Sequence, residues 1–554
     1  MVQNSSFSYR QLCGDNGLMV IVPHEDDEIN LAGALIYGAR KEGVPVKCVF
    51  ITNGDAEYPA SVRFREAIQS LAILGVKEED IIFLGYPDGG RYGERSVFLH
   101  STDEIVKAGA HGNTYGISMH PDFAAQEIGK SHECSWANLL GDMEDVIKKY
   151  RPSAIAACDF DYHPDHRMCY LAFMEVMNRI LHKESHYRPL VLMGYCYTTG
   201  FDSVSDFYGR HLLSAIVNKE TLRNKHFETE NPTYDWGKRI RLPVMKECRT
   251  WLAENVLFKA LCAHLSQKAL RRAVKLVNGD EVYWVRRTDN LAYEGIMTAS
   301  SGNTRLLDDF HIINTGDIIS EEPAFQDYLW MPDSNDKGKW CQCTFSEPQH
   351  VEALALYGNI ETGQRILRVR ISFSNGNSFE AGPLAENGKQ TLITFPAQDD
   401  VNWIRFQILE TEGEYAGVSE WEIFKNLHMD AEPQVFQITM DGNFAYDWYV
   451  YPGESPHIDV YQHGITGEAE WTLNGKRCTR EEIENEVRKV HEPLVVRASL
   501  KDNSDIFSEI IVKPAGVSYR LVHLFETRQD KLAVWWENQK EKYPHHQLRK
   551  IKNK

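Results

Sequence analysis

Two short stretches of the chain place acids and imidazoles at spacings that chemistry can use. The first is "PHEDDE", residues 23 to 28, in which His24 is followed by Glu25, Asp26, Asp27 and Glu28. The second is "HPDH", residues 163 to 166, with His163, Asp165 and His166. Two histidines and one carboxylate are a common ligand set for a catalytic zinc, leaving room for water and substrate, and the same set also holds Fe(II). The plainer alternative is that the acids merely open helices, where each gains about 0.3–1 kcal/mol from the helix dipole.

The elements around these motifs decide between the two. "LMVIV" runs straight into the first motif and "SAIAACDF" leads to the second, both short apolar runs of the kind that a strand buried on both faces shows. Helical patterns follow each, in "INLAGALIYGARKEG" and "PDHRMCYLAF", and Pro164 suits a first helical position, which puts His163 at the cap. With "VKCVFIT", "VRFREAIQSLAILG" and "DIIFLGY" between them, the alternation predicts an α/β fold with a doubly wound, mostly parallel, Rossmann-like sheet and right-handed crossovers. In such a sheet the strand-to-helix junctions share one edge, so two motifs far apart in the chain converge there. A helix N-terminus also disfavours imidazolium and so keeps a ligand histidine neutral.

Over roughly the first 290 residues, these motifs resemble the PIG-L/LmbE family of zinc-dependent N-acetylglucosamine deacetylases. The family's "PHPDDE" corresponds to "PHEDDE", its "TNG" to Thr52–Gly54, its "R..E" helix running on to "LG" to Arg63, Glu66 and Leu74-Gly75, and its "HPDH" to residues 163 to 166. The resemblance implies an LmbE-like fold and removal of an acetyl group from an N-acetylated amino sugar in a glycan or glycoconjugate, with Zn2+ as cofactor and Fe2+ as the alternative. Carried over, His24, Asp27 and His166 would bind the metal and Asp26 would be the general base. His163 would stabilise the oxyanion or donate a proton, with Asp165 orienting it. Glu25 stands where the family has proline, which loosens the turn and adds a charge beside the metal. Arg63, Asp88 in "GYPDGG" and His264 in "AHLSQ" are candidates for substrate contact. Each has a structural alternative: an ion pair with Glu66, a turn residue and a satisfied core histidine, respectively.

A chain of 554 residues is too long for one core, and its composition, 43% hydrophobic and 25% charged, is that of a globular protein. A net charge of −19 predicts repulsion from nucleic acid and from anionic membrane surfaces. The start "MVQNSSFSYRQLCGDNG" lacks the features of a secretory signal, no apolar run is long enough to span a bilayer, and eleven scattered cysteines read as reduced thiols; the expected location is the cytoplasm.

Four regions are expected. Residues 1–290 form the deacetylase-like domain, in which the irregular excursion from about Gly89 to Asn138 is a candidate substrate-covering loop and a helical block through "LFKALCAHLSQKALRRAVKL" comes late. Residues 291–427, with strand-like "KWCQCTFS", "VEALALYG", "QTLITFPA" and "NWIRFQIL", are similar to a galactose-binding-like, discoidin-type sandwich, which makes glycan binding a possible role. Residues 431–515 look immunoglobulin-like with one inserted helix, "REEIENEVRKV". Residues 516–554 form a helical tail with a basic end, expected to dock because Trp535 and Trp536 are costly to leave in water. Two other functions stay open: an amidase for another acylated or thiol conjugate, and a glycan-binding scaffold with an inactive first domain.

Overall fold

The computed structural model describes residues 7–90, 96–99, 104–159, 163–196, 211–216, 235–268, 270, 277–313 and 327–552. Parts of the excursion (91–95 and 100–103) and the end of the late helical block (271–276) lie outside the described residues.

The N-terminal sheet has seven strands: β1 (Leu18–Val22), β2 (Val46–Thr52), β3 (Ile81–Tyr86), β4 (Ala154–Cys158), β5 (Leu190–Gly194), β6 (Ile240–Pro243) and β7 (Asp280–Arg286). Their order is β3-β2-β1-β4-β5-β7-β6, with the first five parallel and β7 and β6 added antiparallel. Every residue of β1, β4 and β5 is buried, as their uninterrupted apolar sequence requires when helices cover both faces. The covering helices include α1 (Tyr9–Cys13), α2 (Asp27–Lys41), α3 (Ala60–Ile73), α4 (Phe123–Ile128), α5 (Trp136–Tyr150), α6 (Pro164–Lys183) and α7 (Val256–Leu261). The chain reverses its winding direction between β1 and β4, which makes their carboxyl ends the crevice in which a doubly wound sheet holds ligands.

α2 is not continuous. Ala32 has non-helical φ and ψ of −144° and 27°, and just after this break the Glu281 carboxylate accepts from the backbone N–H groups of Ala34 (2.7 Å) and Leu35 (2.8 Å). A carboxylate from β7 thus caps the second half of the helix that begins at the first motif.

The second unit is an antiparallel sheet ordered β11-β10-β12-β9-β13, with β8 paired to β9, and it departs from the expected run of short strands. "KWCQCTFS" and "VEALALYG" belong to one 18-residue strand, β9 (Trp340–Tyr357), while "QTLITFPA" and "NWIRFQIL" belong to one 23-residue strand, β12 (Gln390–Glu412). The intervening polar residues read as turns, but they form register shifts between Thr394 and Trp403, so the β9–β12 ribbon bends without breaking. The remaining strands are β8 (Gly295–Ala299), β10 (Arg365–Phe373), β11 (Ser378–Ala381) and β13 (Glu420–Phe424).

The third unit has a three-stranded sheet, β15-β14-β17, and a five-stranded one, β16-β21-β20-β18-β19. These strands run from β14 (Val435–Met440) through β15 (Asn443–Phe444), β16 (Asp447–Val450), β17 (Ile458–His463), β18 (Ala469–Leu473), β19 (Lys476–Cys478) and β20 (Leu494–Leu500) to β21 (Asn503–Pro514). The inserted helix is α8 (Arg480–Val487), opened by a capping box between Thr479 and Glu482.

The tail is a single helix, α9 (Val517–Lys552), and here the expectation is corrected. It rests on the body, but Trp535 and Trp536 remain 52% and 56% exposed, because the contacts come from the opposite side of the helix.

Candidate metal centre and catalytic site

Each half of the site hangs on a strand end. β1 stops at Val22, and Pro23 accepts the Thr52 N–H (2.8 Å), which ties the first motif to the end of β2. Asp26 precedes α2 with φ of 157°, a strained conformation for a residue with a side chain, and Asp27 and Glu28 start the helix. After β4, His163 caps α6 and Pro164 takes the first helical position, as the sequence predicts. The His163 Nδ1 accepts the backbone N–H of Asp165 (3.2 Å), which leaves the proton of a neutral ring on Nε2.

The two halves meet. Asp27 Oδ2 lies 3.1 Å from His24 Nδ1 and 3.1 Å from His166 Nε2. A tetrahedral zinc with bonds of 2.0–2.1 Å separates its ligands by roughly 3.3 Å, close to both Asp27 distances, and the His24 and His166 rings lie with centroids 5.3 Å apart, in a group with His163 whose ring nitrogens could also hold an ion. Asp27 and His166 have no solvent exposure and His24 only 6%. Asn30 Nδ2 donates to the other Asp27 oxygen (3.2 Å), which fixes the carboxylate's orientation. Burial opposes ionisation of Asp27, yet His166 and His24 hold its pKa well below the usual carboxylate range. A carboxylate kept ionised against two imidazoles is the donor chemistry that such an ion needs.

Asp165 is fully buried; its carboxylate accepts from the Gly89 N–H (3.2 Å) and the Ser96 hydroxyl (3.1 Å), and its Oδ2 is 3.5 Å from His24 Nε2. Asp88 Oδ1 lies 3.8 Å from the same nitrogen and is held by the Thr52 hydroxyl (3.1 Å). The His24 ring is therefore set between Asp27 on Nδ1 and two carboxylates on Nε2, the arrangement that orients a metal-binding imidazole. Burial works against charge on His24, but Asp165 and Asp27 raise its pKa well above the ordinary imidazole value. Asp165 thus has a role toward His24 that the sequence did not suggest. The His163 ring packs edge-on to His24, with centroids 4.7 Å apart, so it lies beside the candidate donor set.

Asp26 is held by Arg63, whose Nη2 donates to its Oδ1 (3.0 Å). Arg63 is only 2% exposed, and its Nε lies 3.6 Å from Glu25 Oε2. Glu66 instead accepts from the N–H (2.8 Å) and hydroxyl (2.6 Å) of Ser266. The family-like "R..E" pair therefore splits, Arg63 to the motif acids and Glu66 to the segment after α7. Burial drives the Glu25 pKa well above the carboxylate range, and Arg63 reverses only part of that, so the added residue brings less charge to the site than its type suggests. Gly54, at φ 56°, permits this packing, because a Cβ there would collide with Arg63 Nε and Glu25 Oε2.

His264 is brought to the motif but not to the open side of the site. It has no solvent exposure, and its Nε2 lies 2.7 Å from Glu28 Oε1, so its place is behind the first turn of α2. Ser96 and Glu281, which support site residues, carried no signal in the sequence, and Thr52, legible as part of "TNG", gave no sign of its bond to Asp88. They act through hydrogen bonds formed only once the sheet edge is assembled.

Comparison with known proteins adds the following. The PIG-L family, described as GlcNAc-PI de-N-acetylase, matches residues 19–177, and a domain of unknown function, DUF7402, matches residues 290–424. No curated protein matches the chain. Among solved structures, N,N'-diacetylchitobiose deacetylase from Pyrococcus horikoshii is 19% identical over 32% of this chain and 59% of that one, with a TM-score of 0.21. A deacetylase of teicoplanin biosynthesis, solved with teicoplanin, is 16% identical over 48% of this chain and 97% of its own, with a TM-score of 0.28. A family 32 carbohydrate-binding module from C. perfringens, solved with galactose, is 16% identical over 24% of this chain and 94% of its own, with a TM-score of 0.18. The chain thus spans 59% of the Pyrococcus deacetylase it matches. With its two motifs on adjacent strand ends inside the matched segment, the chain carries a PIG-L domain at residues 19–177.

Proposed function

We propose that this protein is a metal-dependent hydrolase that removes an acetyl group from an N-acetylated amino sugar, of the N-acetylglucosamine type, within a glycan or glycoconjugate. The observation that carries the reading is the meeting of His24 and His166 on one oxygen of Asp27, each 3.1 Å from it, with Asp26 next in the chain and the His163 ring against His24, inside a PIG-L domain. An amide is a poor electrophile. His24, Asp27 and His166 would hold a zinc ion, which when bound would polarise the amide carbonyl and lower the pKa of water from 15.7 to about 7.

The chain's own groups do the rest. Asp26, held by Arg63 next to the ligand Asp27, accepts the proton of the attacking water. His163, with Nδ1 occupied by the Asp165 N–H, presents Nε2–H to the developing oxyanion as a hydrogen-bond donor, and the proton that Asp26 has taken from water passes to the departing amine. Asp165 and Asp88 hold the His24 ring from its far nitrogen. In this reading Arg63 acts on the substrate through Asp26, while Asp88 at 3.8 Å from His24 faces the cavity and His264 stays behind Glu28.

The β-sandwich at 291–427 is proposed to present the domain to glycan. Support for a reducing, cytoplasmic setting comes from the eleven cysteines, all unpaired. Zinc-loaded protein should release acetate from a panel of N-acetylglucosamine conjugates. Turnover of other acylated amides with none of the amino sugars would discard the substrate class, and no turnover of any amide by metal-replete protein would discard the hydrolase reading.

A further inference from the structure

α9 is amphipathic, yet it docks with the wrong side. At about 100° per residue its positions sort into two faces. One faces the body: Tyr519 stacks on Tyr449 with centroids 4.3 Å apart, Asp530 accepts the Ala253 N–H (3.0 Å) and Glu541 accepts the Leu270 N–H (3.2 Å). The other carries Leu521 (64% exposed), Leu532 (56%), Trp535 and Trp536 into solvent, together with Phe525 (58%), whose ring centroid also lies 6.4 Å from that of Trp251.

Charge is divided along the same line. The four acids of the helix, Glu526, Asp530, Glu537 and Glu541, lie on the docked half and none is exposed, whereas Arg520, Arg528, Lys531, Lys540 and Lys542 are all exposed. Between 517 and 554 there are nine Lys and Arg against four Asp and Glu, in a chain whose net charge is −19.

We propose that the outer face of α9 is an interfacial helix that lays this protein on an anionic lipid surface. Leu, Phe and Trp on one face with Arg and Lys among and beside them are what such a helix needs: rings and aliphatics enter the acyl boundary while the cations reach headgroup phosphates. A second copy is the poorer occupant, since Arg528 projects from the middle of the apolar face and pairing two such helices sets like charges in the seam. No helix among the described residues is long and apolar enough to cross a membrane, so the helix lies on the surface. The whole-chain charge, which predicts repulsion, is here outweighed locally, and the acidic body turns outward.

Flotation of the full-length protein with vesicles tests this. Binding to phosphatidylcholine vesicles containing about 30% phosphatidylglycerol should exceed binding to phosphatidylcholine alone by about tenfold or more near 0.1 M salt, and collapse near 0.5 M. Leu532→Glu with Trp536→Glu should abolish it with circular dichroism and unfolding temperature unchanged. Arg528→Glu with Lys531→Glu, which keeps the apolar residues, should lower it by roughly tenfold. Absence of wild-type binding, or binding by either variant at the wild-type level, overturns the proposal. So does a concentration-dependent dimer in sedimentation velocity that the Leu532/Trp536 variant abolishes, because that outcome assigns the face to a second copy.

Discussion

Asp26 and Asp27 are neighbours in the chain, yet their carboxylates have opposite surroundings: Asp27 meets two imidazoles and Asp26 meets a guanidinium. The site reading gives them separable phenotypes. Asp26→Asn should keep about one metal ion per chain by elemental analysis while losing on the order of 10²–10⁴-fold in kcat. Asp27→Ala should lose the metal itself. Gly54→Ala should behave like a weak Asp26 variant, with metal retained and activity down, because the new methyl group displaces Arg63 from Asp26. His264 offers a test of pH dependence. Burial pushes its pKa down, but the Glu28 carboxylate more than reverses this, so the folded value is raised. A raised histidine contributes stability in full below the unfolded value near 6.5 and loses it as pH climbs through the folded value. In urea titrations, the stability advantage of wild type over His264→Gln should shrink as pH rises above about 6.5, by at most about 1.4 kcal/mol per pH unit. The types and spacing of His24, Asp27, His163 and His166 were legible in the sequence because strand ends present them directly. The partners of Arg63, Asp165 and His264 were not, since each bonds to a group brought close by a different element.

Among the elements, α2 matters most, since it starts at Asp27, a proposed metal ligand, and is broken at Ala32. Glu281 caps the break from β7, 247 positions along the chain from Ala34. Glu281→Ala leaves two helix N–H groups without this acceptor and should cost about 1–3 kcal/mol in chemical denaturation. The strand–helix alternation of the first domain was readable because buried parallel strands and amphipathic helices have different periods. The bent β9 and β12 were not, because polar residues at bulges look like turns when only hydropathy is read. The α9 helix was readable as a helix from its pattern, but its docking face was not. Burial of Trp535 and Trp536 was expected from their area alone, whereas Asp530, Glu541 and Tyr519 make the contacts.

At the scale of the molecule, the first and second units are joined through Arg286 at the end of β7. It pairs with Glu422, lies 3.5 Å from Glu420, donates to the Phe310 carbonyl (3.1 Å) and is only 4% exposed. Removing one member of a buried charge cluster strands the others, so Arg286→Ala should destabilise by about 3–5 kcal/mol, seen as a lower thermal transition of the full chain. The third unit is tied to the first by Tyr446, whose hydroxyl donates to the Gly279 carbonyl (2.9 Å) and accepts the Val244 N–H (3.0 Å). The sequence showed a change of texture near residue 290 but not these ties, because a charged residue at a strand end reads as exposed until its partners arrive. The central claim is that His24, Asp27 and His166 enclose one catalytic metal ion. Metal content measured on purified wild type and His166→Ala, with acetate release assayed on the same samples, tests it most directly. The account predicts about one zinc or iron per wild-type chain, and loss of both metal and activity in the variant. Stoichiometric metal in His166→Ala, or full acetate release by metal-free wild type, would contradict it.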